Sequence, residues 1–381
     1  MAQAIISRRG GGSGYATITF NGVSTLKKTD VASLSKARSS LGATTVGNYA
    51  LFGGGGINNG TYIGVNTVDA YNTDLTKSTP TTLSQARNDL AATTVGNYAL
   101  FGGGYSGDSF YSTVDAYNTD LTKSTPTALS QARYYLSATA VGNYALFGGG
   151  YSGGGGSYST VDAYNTSLTR STPTVLSQTR YLLSATAVGN YALFGGGSAV
   201  VDAYNTNLTR STPTALSEAR SQLAATTVGN YALFGGGRGF STVDAYDTSL
   251  VRSIPTALSQ ARFNLAATTV GNYALFGGGS GSSTVDAYDT SLVRSIPTAL
   301  SQARGSLAAT TVGNYALFGG GSGPFSSTVD AYYVNNKVQV YPGTIYKLGS
   351  MSSESTSPTM QEIETTAPIT GYIKIKDATI N

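Results

Sequence analysis

The sequence contains no cysteine and no histidine among its 381 residues. Without cysteine it can form no disulfide or thiolate metal site, and it offers no cysteine nucleophile. Without histidine it lacks the commonest general base and metal ligand, so a serine–histidine–aspartate triad cannot be built. We therefore expect no catalytic residues, no metal site, no cofactor and no enzymatic activity.

Charge is also scarce, since charged residues make up 11% of the chain and the net charge is +4. Such a small charge gives little attraction toward nucleic acid or anionic membranes. No apolar run approaches the roughly 20 residues that cross a bilayer, and the N-terminus lacks the apolar stretch of a signal peptide. We expect cytoplasmic synthesis without a signal peptide, no nucleic-acid partner and no membrane insertion.

Glycine and tyrosine, in contrast, are abundant, with 49 and 27 residues, a combination typical of a folded, turn-rich chain. They recur in seven copies of one unit, which establishes an internal repeat. Each unit opens with an arginine, continues with the identical string GNYALFGGG and then reaches the string VDAY. The seven arginines are Arg38, Arg87, Arg133, Arg180, Arg220, Arg262 and Arg304.

The unit that begins at Arg133 contains four short strand signals. Leu136–Val141 and Tyr144–Phe147 are separated by a Gly–Asn pair, a two-residue hairpin turn in which both residues tolerate positive φ. A third strand, Thr160–Asn165, follows a loop, and a fourth runs around Leu168–Thr172. Four antiparallel strands in roughly 40–50 residues are typical of a propeller blade. The sequence therefore predicts an all-β fold, a seven-bladed β-propeller of four-stranded antiparallel blades.

Each unit resembles a kelch repeat, with glycines after an aromatic-ended strand, a later tyrosine and an arginine that opens the next unit. The resemblance covers roughly residues 23–333 and implies a β-propeller. One feature departs from the family, because its usual tryptophan in the fourth strand is missing and this chain has none. We expect Leu121, Leu168 and their equivalents to fill the space between blades.

The N-terminal residues are expected to close the ring, because an open blade edge exposes unpaired backbone groups. The seventh unit lacks the usual fourth-strand sequence, whereas Val23–Arg38 matches the fourth strand and connector of other units. In that match Lys28 corresponds to Lys77. We predict an N-terminal segment at 1–22 and a propeller at 23–333 whose last blade takes its outer strand from the N-terminus.

Residues 334–381 lie outside the repeats and are predicted to form a β-rich tail. Lys337–Tyr341 and Ile369–Lys376 alternate like strands, and Ser350–Pro368 is a Ser/Thr-rich linker. The tail can pack on the outer edge, mediate oligomerisation or anchor the protein, and the sequence does not choose among these roles.

Variation among the seven copies is confined to two stretches of the unit. One is the pair of residues after each arginine, and the other is the loop between the glycine triplet and VDAY. Strand direction places both stretches at the same face of the ring, whereas the opposite face carries the nearly unchanging Gly–Asn and YNTS-type turns. We interpret this variable face as a recognition surface.

The variable positions favour Tyr, Ser, Asn, Gly, Asp and Phe, which are typical of binding loops. Blades two to four contribute several tyrosines to one sector, a candidate hot spot for glycan or protein contact. In kelch propellers the residues just after this arginine commonly line the mouth of the central channel, which the resemblance implies here. The candidate ligand-binding residues are Asn88, Asp89, Tyr105, Tyr111, Tyr134, Tyr135, Tyr151, Tyr158, Tyr181, Leu182, Ser221, Gln222, Phe263 and Asn264.

Other interpretations stay open at this point. Loop variation also arises from relaxed selection, and the protein can be a structural scaffold or spacer of a phage or surface assembly. The opening ISRRGGG and closing GYIKIK resemble phage tail-fibre sequences, which implies release on a phage particle. Sugar hydrolysis would require two unpaired carboxylates on the variable face, and the only such aspartates expected there, Asp89 and Asp108, both lie on blade two. The arginines and VDAY aspartates are interpreted as structural, binding carbonyls or each other across blade junctions, rather than as an anion-binding ring.

Overall fold

Each repeat forms one four-stranded antiparallel sheet in the computed structural model, which describes residues 23–58, 60–340 and 361–365. Blades are numbered here from the repeat that opens at Arg38. The innermost strands are Gly42–Val46, Ala91–Val95, Ser137–Val141, Leu183–Val188, Ala224–Val228, Ala266–Val270 and Ala308–Val312. The second strands are Tyr49–Gly53, Tyr98–Gly102, Tyr144–Gly148, Tyr191–Gly196, Tyr231–Gly235, Tyr273–Gly277 and Tyr315–Gly319.

In blades one to six the two outer strands follow in chain order, as predicted, and in blade seven the outermost strand comes from the N-terminus. The third strands are Val68–Asn72, Val114–Asn118, Val161–Asn165, Val201–Asn205, Val243–Asp247, Val285–Asp289 and Val329–Val340. The fourth strands are Lys77–Ser78, Lys123–Ser124, Arg170–Ser171, Arg210–Ser211, Arg252–Ser253, Arg294–Ser295 and, for blade seven, Val23–Asp30. The predicted all-β propeller of four-stranded blades is confirmed.

Local sequence explains the inner hairpin of each blade. In Ala91–Val95 buried and half-buried residues alternate, whereas nearly all of Tyr98–Gly102 is buried because neighbouring blades cover both of its faces. At the turn of blade three only Gly142 takes a positive φ, of 53°. Glycine at the first central position is the pattern of a type II′ turn, so the positive φ that asparagine also tolerates is not used in this turn.

Glycine also sets the spacing between blades. A Cβ atom added to Gly148, the first glycine of the blade-three triplet, would lie 2.7 Å from Cε1 of Phe194 in blade four. The same contact closes the ring, since a Cβ on Gly319 of blade seven would lie 2.7 Å from Cε1 of Phe52 in blade one. The first glycine of the triplet is therefore part of the surface on which the next blade's phenylalanine packs.

Gly148→Ala is expected to destabilise the propeller by about 1–3 kcal/mol, the usual cost of overpacking a tight core. The φ of Gly148 is not in the left-handed region and Phe194 is fully buried, so the effect is steric. Urea unfolding followed by circular dichroism measures it. Gly154→Ala is the control, because a Cβ there meets nothing within 4 Å. Equal midpoints for the two variants would contradict this account.

Ring closure by the N-terminal strand is confirmed. Val23–Asp30 pairs with the third strand of blade seven and takes the outermost place in that sheet. Lys28 Nζ lies 3.1 Å from Asp330 Oδ1, and the corresponding Lys77 Nζ of blade one lies 3.8 Å from Asp69 Oδ1. The alignment of Lys28 with Lys77 therefore identified the correct strand.

The repeated arginines are structural, as predicted. Arg133 is fully buried, and its Nη2 donates to Asp162 Oδ2 at 2.7 Å and to the carbonyl of Phe147 at 3.1 Å. Asp162 also accepts from the Ser130 backbone N–H at 3.0 Å and from Arg170 Nη1 at 3.2 Å. The predicted pairing across a blade junction is wrong, because the arginine and the aspartate belong to the same repeat. The contact that crosses the junction is made by Ser130, in the connector that follows the outer strand of blade two. Burial and pairing leave these arginines unable to meet an anion at the surface.

Leucines that precede the fourth strands pack between blades. Leu168 packs against a cluster that combines Leu100 and Val114 of blade two with Phe147 and Tyr164 of blade three. Leu121 lies at the equivalent place against the cluster between blades one and two. The prediction that these leucines lie between blades is confirmed.

The described residues 28–332 form one compact unit, and residues 23–27, 333–340 and 361–365 belong to a second. In the second unit Asn336–Val340 pairs antiparallel with Gln361–Thr365. The predicted strand at Lys337–Tyr341 is confirmed as far as Val340, whereas the linker prediction for Ser350–Pro368 is wrong at Gln361–Thr365. The 1–22 segment and the strand predicted at Ile369–Lys376 lie outside the described residues. No helix in the described ranges has the length and apolar character needed to cross a membrane.

Candidate functional site

The two variable stretches of each blade meet at one end of the ring. The backbone of Asn88 pairs with that of Tyr105 through hydrogen bonds of 2.9 and 3.0 Å, and Tyr134 pairs with Tyr151 through bonds of 3.0 and 2.8 Å. In each case a residue that follows the arginine bonds to the loop that follows the glycine triplet. The predicted placement of both stretches on one face is therefore correct, and this end is called the variable face below.

The second residue of each variable pair belongs to a closed ring of backbone hydrogen bonds. Each N–H donates to the carbonyl of the equivalent residue in the preceding blade, over 2.8 to 3.1 Å. Every member has φ between 50° and 59°. This mouth ring consists of Ser40, Asp89, Tyr135, Leu182, Gln222, Asn264 and Ser306.

The seven positions of the mouth ring share one backbone conformation, although their side chains differ. Left-handed φ disfavours β-branched residues and excludes proline, and neither type occurs at the seven positions. Asn, Asp, Ser, Gln, Leu and Tyr are accepted in the same hydrogen-bonded conformation. The arrangement can therefore display different chemistry without a change in the scaffold.

Threonine hydroxyls on the innermost strands link neighbouring blades below this ring. Thr44 Oγ1 lies 2.8 Å from Thr94 Oγ1, and Thr226 Oγ1 lies 2.9 Å from Thr269 Oγ1. These groups are neutral at physiological pH and cannot act as general acids or bases. Among the described residues no three acidic side chains come together as a metal site.

Six aromatic rings on the variable face form one contiguous group, called the aromatic cluster below. Tyr134 lies at its centre, with its ring centroid 4.6 Å from that of Tyr105 and 4.5 Å from that of Tyr135. Phe110 stacks on Tyr134 with centroids 5.4 Å apart and an interplanar angle of 16°. The aromatic cluster consists of Tyr105, Phe110, Tyr134, Tyr135, Tyr151 and Tyr181.

Loops of blades two and three position Phe110 in the aromatic cluster. Phe110 follows the tip of a short hairpin formed by Tyr105–Ser106 and Ser109–Phe110. A Cβ atom on Gly153, at the start of a short 3-10 helix in blade three, would lie 2.5 Å from the Phe110 ring. At the other edge Tyr181 is 39% exposed, so part of the cluster faces solvent.

Asp89 lies in the mouth ring beside these tyrosines. Burial raises the pKa of its carboxyl to about 7, although a hydrogen bond with Ser40 lowers it. Burial also raises the pKa of Tyr105 to about 12, and the charge of Asp89 adds to that rise. The same two causes raise the pKa of Tyr135. These phenols therefore stay protonated near neutral pH, whereas Asp89 titrates there.

Asn88, predicted as a surface contact, has a fully buried side chain. Neither its Oδ1 nor its Nδ2 has a hydrogen-bond partner within the described protein. A buried amide without partners costs roughly 1–3 kcal/mol, so such groups in native proteins usually serve a role.

The remaining predicted residues are divided between two other places. The phenols of Tyr111 and Tyr158 lie near the structural arginines Arg87 and Arg133, and among described residues neither ring joins the aromatic cluster. Across the mouth, the Arg238 guanidinium lies 5.9 Å from the Phe263 ring centroid. The backbone N–H of Arg238 donates to the Ser221 carbonyl at 3.0 Å. Leu182, Gln222 and Asn264 are members of the mouth ring.

Sequence reasoning missed Phe110, Tyr62 and Phe325 on this face. The position of Phe110 beside Tyr111 in a variable loop was a usable signal. Tyr62, in the blade-one loop, lies 3.4 Å from Ser39 Oγ through its hydroxyl and 6.1 Å from the Phe325 ring through its ring centroid. Its loop position alone gave no indication of that contact with blade seven.

Comparisons with known proteins bear on the fold. No protein-family model matches the chain, and no curated protein matches it. A solved structure described as "Structure of YjhT" is similar, with a TM-score of 0.55 and 10% sequence identity over 70% of this chain and 99% of that one. At so low an identity the likeness concerns the fold alone, a β-propeller.

Proposed function

We propose that this propeller is a non-enzymatic binding protein whose variable face recognises a glycan or a protein. One observation carries the proposal, namely the contiguous aromatic cluster that blades two to four build at one end of the ring. Tyrosine supplies rigid contact area together with a polar hydroxyl at little entropic cost. Propellers commonly serve as binding scaffolds, and the strict repetition elsewhere contrasts with the diversity here.

The proposed absence of catalysis follows from the chemistry available on this face. Sugar hydrolysis requires two carboxylates on opposite sides of the bond to be broken. Asp89 lies in the mouth ring, whereas Asp108 is exposed at the hairpin turn of the same blade. Tyrosine, serine and amide groups around them suit hydrogen bonding better than proton transfer.

We also propose that the repeats are kelch-like and that the protein serves as a receptor binder on a phage particle. Support comes from the glycine, tyrosine and arginine pattern of the repeat and from the terminal sequences ISRRGGG and GYIKIK. A scaffold or spacer role is the second candidate, favoured by the uniform blades outside the variable face.

A combined substitution of Tyr134, Tyr135 and Tyr181 by serine should lower ligand affinity by at least roughly a hundredfold, since hot-spot aromatics each contribute about 2 kcal/mol or more. Serine suits these positions because Ser39 and Ser40 form the corresponding pair of blade one. Binding is measured on a glycan array or by pull-down from surface extracts, and folding by the melting temperature.

The matched control replaces Val251, Val293 and Ile296 by serine, three exposed apolar residues next to the outer strands of blades five and six. We expect this control to keep binding and both variants to keep the wild-type melting temperature. Normal binding by the tyrosine variant would place the site elsewhere. If the wild-type protein binds nothing on either platform, the scaffold role is favoured instead.

A further inference from the structure

Asp89 is a carboxylate without a cationic partner. The VDAY aspartates are each paired with an arginine, as Asp115 is with Arg87 at 2.6 Å. Among the described residues no ion pair involves Asp89, and the other six members of the mouth ring are uncharged. A half-buried carboxylate without a counterion can pair with a positively charged group of a ligand.

The groups around Asp89 are phenols and the mouth-ring residue Ser40. The Ser40 carbonyl accepts the Asp89 backbone N–H at 2.9 Å, and the pKa of the Tyr105 and Tyr135 phenols is raised by burial and by the charge of Asp89. Tyr62 and Tyr134 are coupled to it in the same way. The pKa of all four tyrosines is raised, so none of them ionises near neutral pH. Asp89 is thus the one group of this set that changes charge there.

Backbone contacts place Asp89 beside the aromatic cluster. The Asp89 carbonyl accepts the N–H of Tyr135 at 3.1 Å, and the preceding residue, Asn88, pairs with Tyr105 through backbone hydrogen bonds of 2.9 and 3.0 Å. A positively charged group that contacts these rings would therefore lie close to the one acidic residue of the mouth ring.

The aromatic rings also favour a positively charged ligand. The face of a tyrosine ring is electronegative and attracts an organic cation within about 6 Å of the centroid. Tyr105, Tyr134 and Tyr135 have centroids within 4.6 Å of their neighbours, which gathers several ring systems beside one carboxylate. Neutral sugar hydroxyls would leave the negative charge of Asp89 uncompensated.

We propose that Asp89 and the aromatic cluster bind an alkylammonium group carried by the ligand. The inference rests on the proposed function and specifies the chemistry that the variable face selects. It covers a primary ammonium, as in a lysine side chain or an amino sugar, and a quaternary one, as in choline. Asp89 is the specificity-determining residue, because it supplies the charge that distinguishes a cation from a neutral ligand of the same shape.

The test compares choline with 3,3-dimethylbutan-1-ol, a neutral molecule of nearly the same shape. Chemical shifts of protein labelled at its tyrosine rings report binding of each probe. We expect choline to bind at least roughly tenfold more tightly than the neutral alcohol. n-Butylammonium is the second cation, and its affinity relative to choline distinguishes a primary from a quaternary ligand.

Asp89→Asn removes the charge and preserves the backbone. Asn264 adopts φ 54° at the equivalent ring position, close to the 50° of Asp89. The variant should lose at least roughly tenfold in affinity for both cations and little for the alcohol. Asp108→Asn, an exposed acid of the same blade, is the control and should bind as the wild type does.

Binding should also depend on pH with a defined sign. With a pKa of about 7, Asp89 is mostly charged at higher pH and mostly neutral at lower pH. Cation affinity of the wild type should therefore fall by roughly tenfold or more from about pH 8 to about pH 5.5, whereas Asp89→Asn should show no such dependence.

Equal affinity for choline and the alcohol, or cation binding that survives Asp89→Asn, would overturn the inference. So would the absence of binding by either cation. The proposed function is judged separately, by whether the tyrosine variant loses the ligand found on the array or in the pull-down. A neutral ligand lost by that variant would leave the binding face intact and refute only the ammonium preference.

Discussion

Deletion of residues 1–34 is expected to abolish cooperative unfolding of the propeller. The deletion removes the outermost strand of blade seven and with it the Lys28–Asp330 ion pair. It also removes Leu34, which is 4% exposed and whose N–H donates to the Ser327 carbonyl at 2.7 Å. Truncating such a leucine alone costs about 2–5 kcal/mol, a large share of the roughly 5–15 kcal/mol that holds a typical domain together. The exposed edge of Val329–Val340 would add a risk of aggregation.

Calorimetry and circular dichroism on purified protein test the deletion. The shorter deletion of residues 1–22 leaves Val23–Asp30 complete and should keep a cooperative melt. A synthetic peptide of residues 23–38 added to the longer deletion should restore part of the transition, because the missing strand can then bind in trans. A sharp, unshifted melt for the 1–34 deletion would contradict closure by this strand.

Much of the fold could be predicted because the repeat supplied its own internal comparison. Comparison of the seven copies located the strands of blade three to within one or two residues, and the correspondence of Lys28 with Lys77 identified the closing strand. The role of Gly148 could not be predicted, since its neighbour Phe194 lies in the next blade and the local pattern indicates only a turn. Packing between repeats depends on coordinates rather than on periodicity.

The candidate site was predicted less completely. Chain direction was enough to place both variable stretches on one face, and the tyrosine bias identified most of the aromatic cluster. The mouth ring was not predicted, because left-handed φ at Leu182 or Tyr135 contradicts the usual preference of these residues. Burial of Asn88 and the contribution of Phe110 depend on loop conformations that vary from blade to blade, and no pattern in the sequence specifies them.

Asp162→Ala is expected to destabilise the propeller by about 3–5 kcal/mol, the usual effect of removing one partner of a buried ion pair. Arg133 would stay fully buried without its counterion, and its Nε has no partner within the described protein. Burial already lowers the pKa of Arg133, and Asp162 opposes that shift. Loss of the aspartate would also remove its contacts with Ser130 in the connector and with Arg170 in the outer strand.

Urea unfolding measures this effect against two comparison variants. Asp120→Asn should be nearly neutral, because Asp120 is exposed and Asn207 occupies the equivalent turn position in blade four. The double variant Arg133→Met with Asp162→Leu should be less destabilised than Asp162→Ala, since it leaves no unpaired charge in the interior. If the double variant is instead the less stable of the two, the carbonyl contacts of Arg133 to Phe147 and Thr160 contribute more than the charge balance does. The buried arginine would then act mainly as a hydrogen-bond donor that joins the connector to the second and third strands.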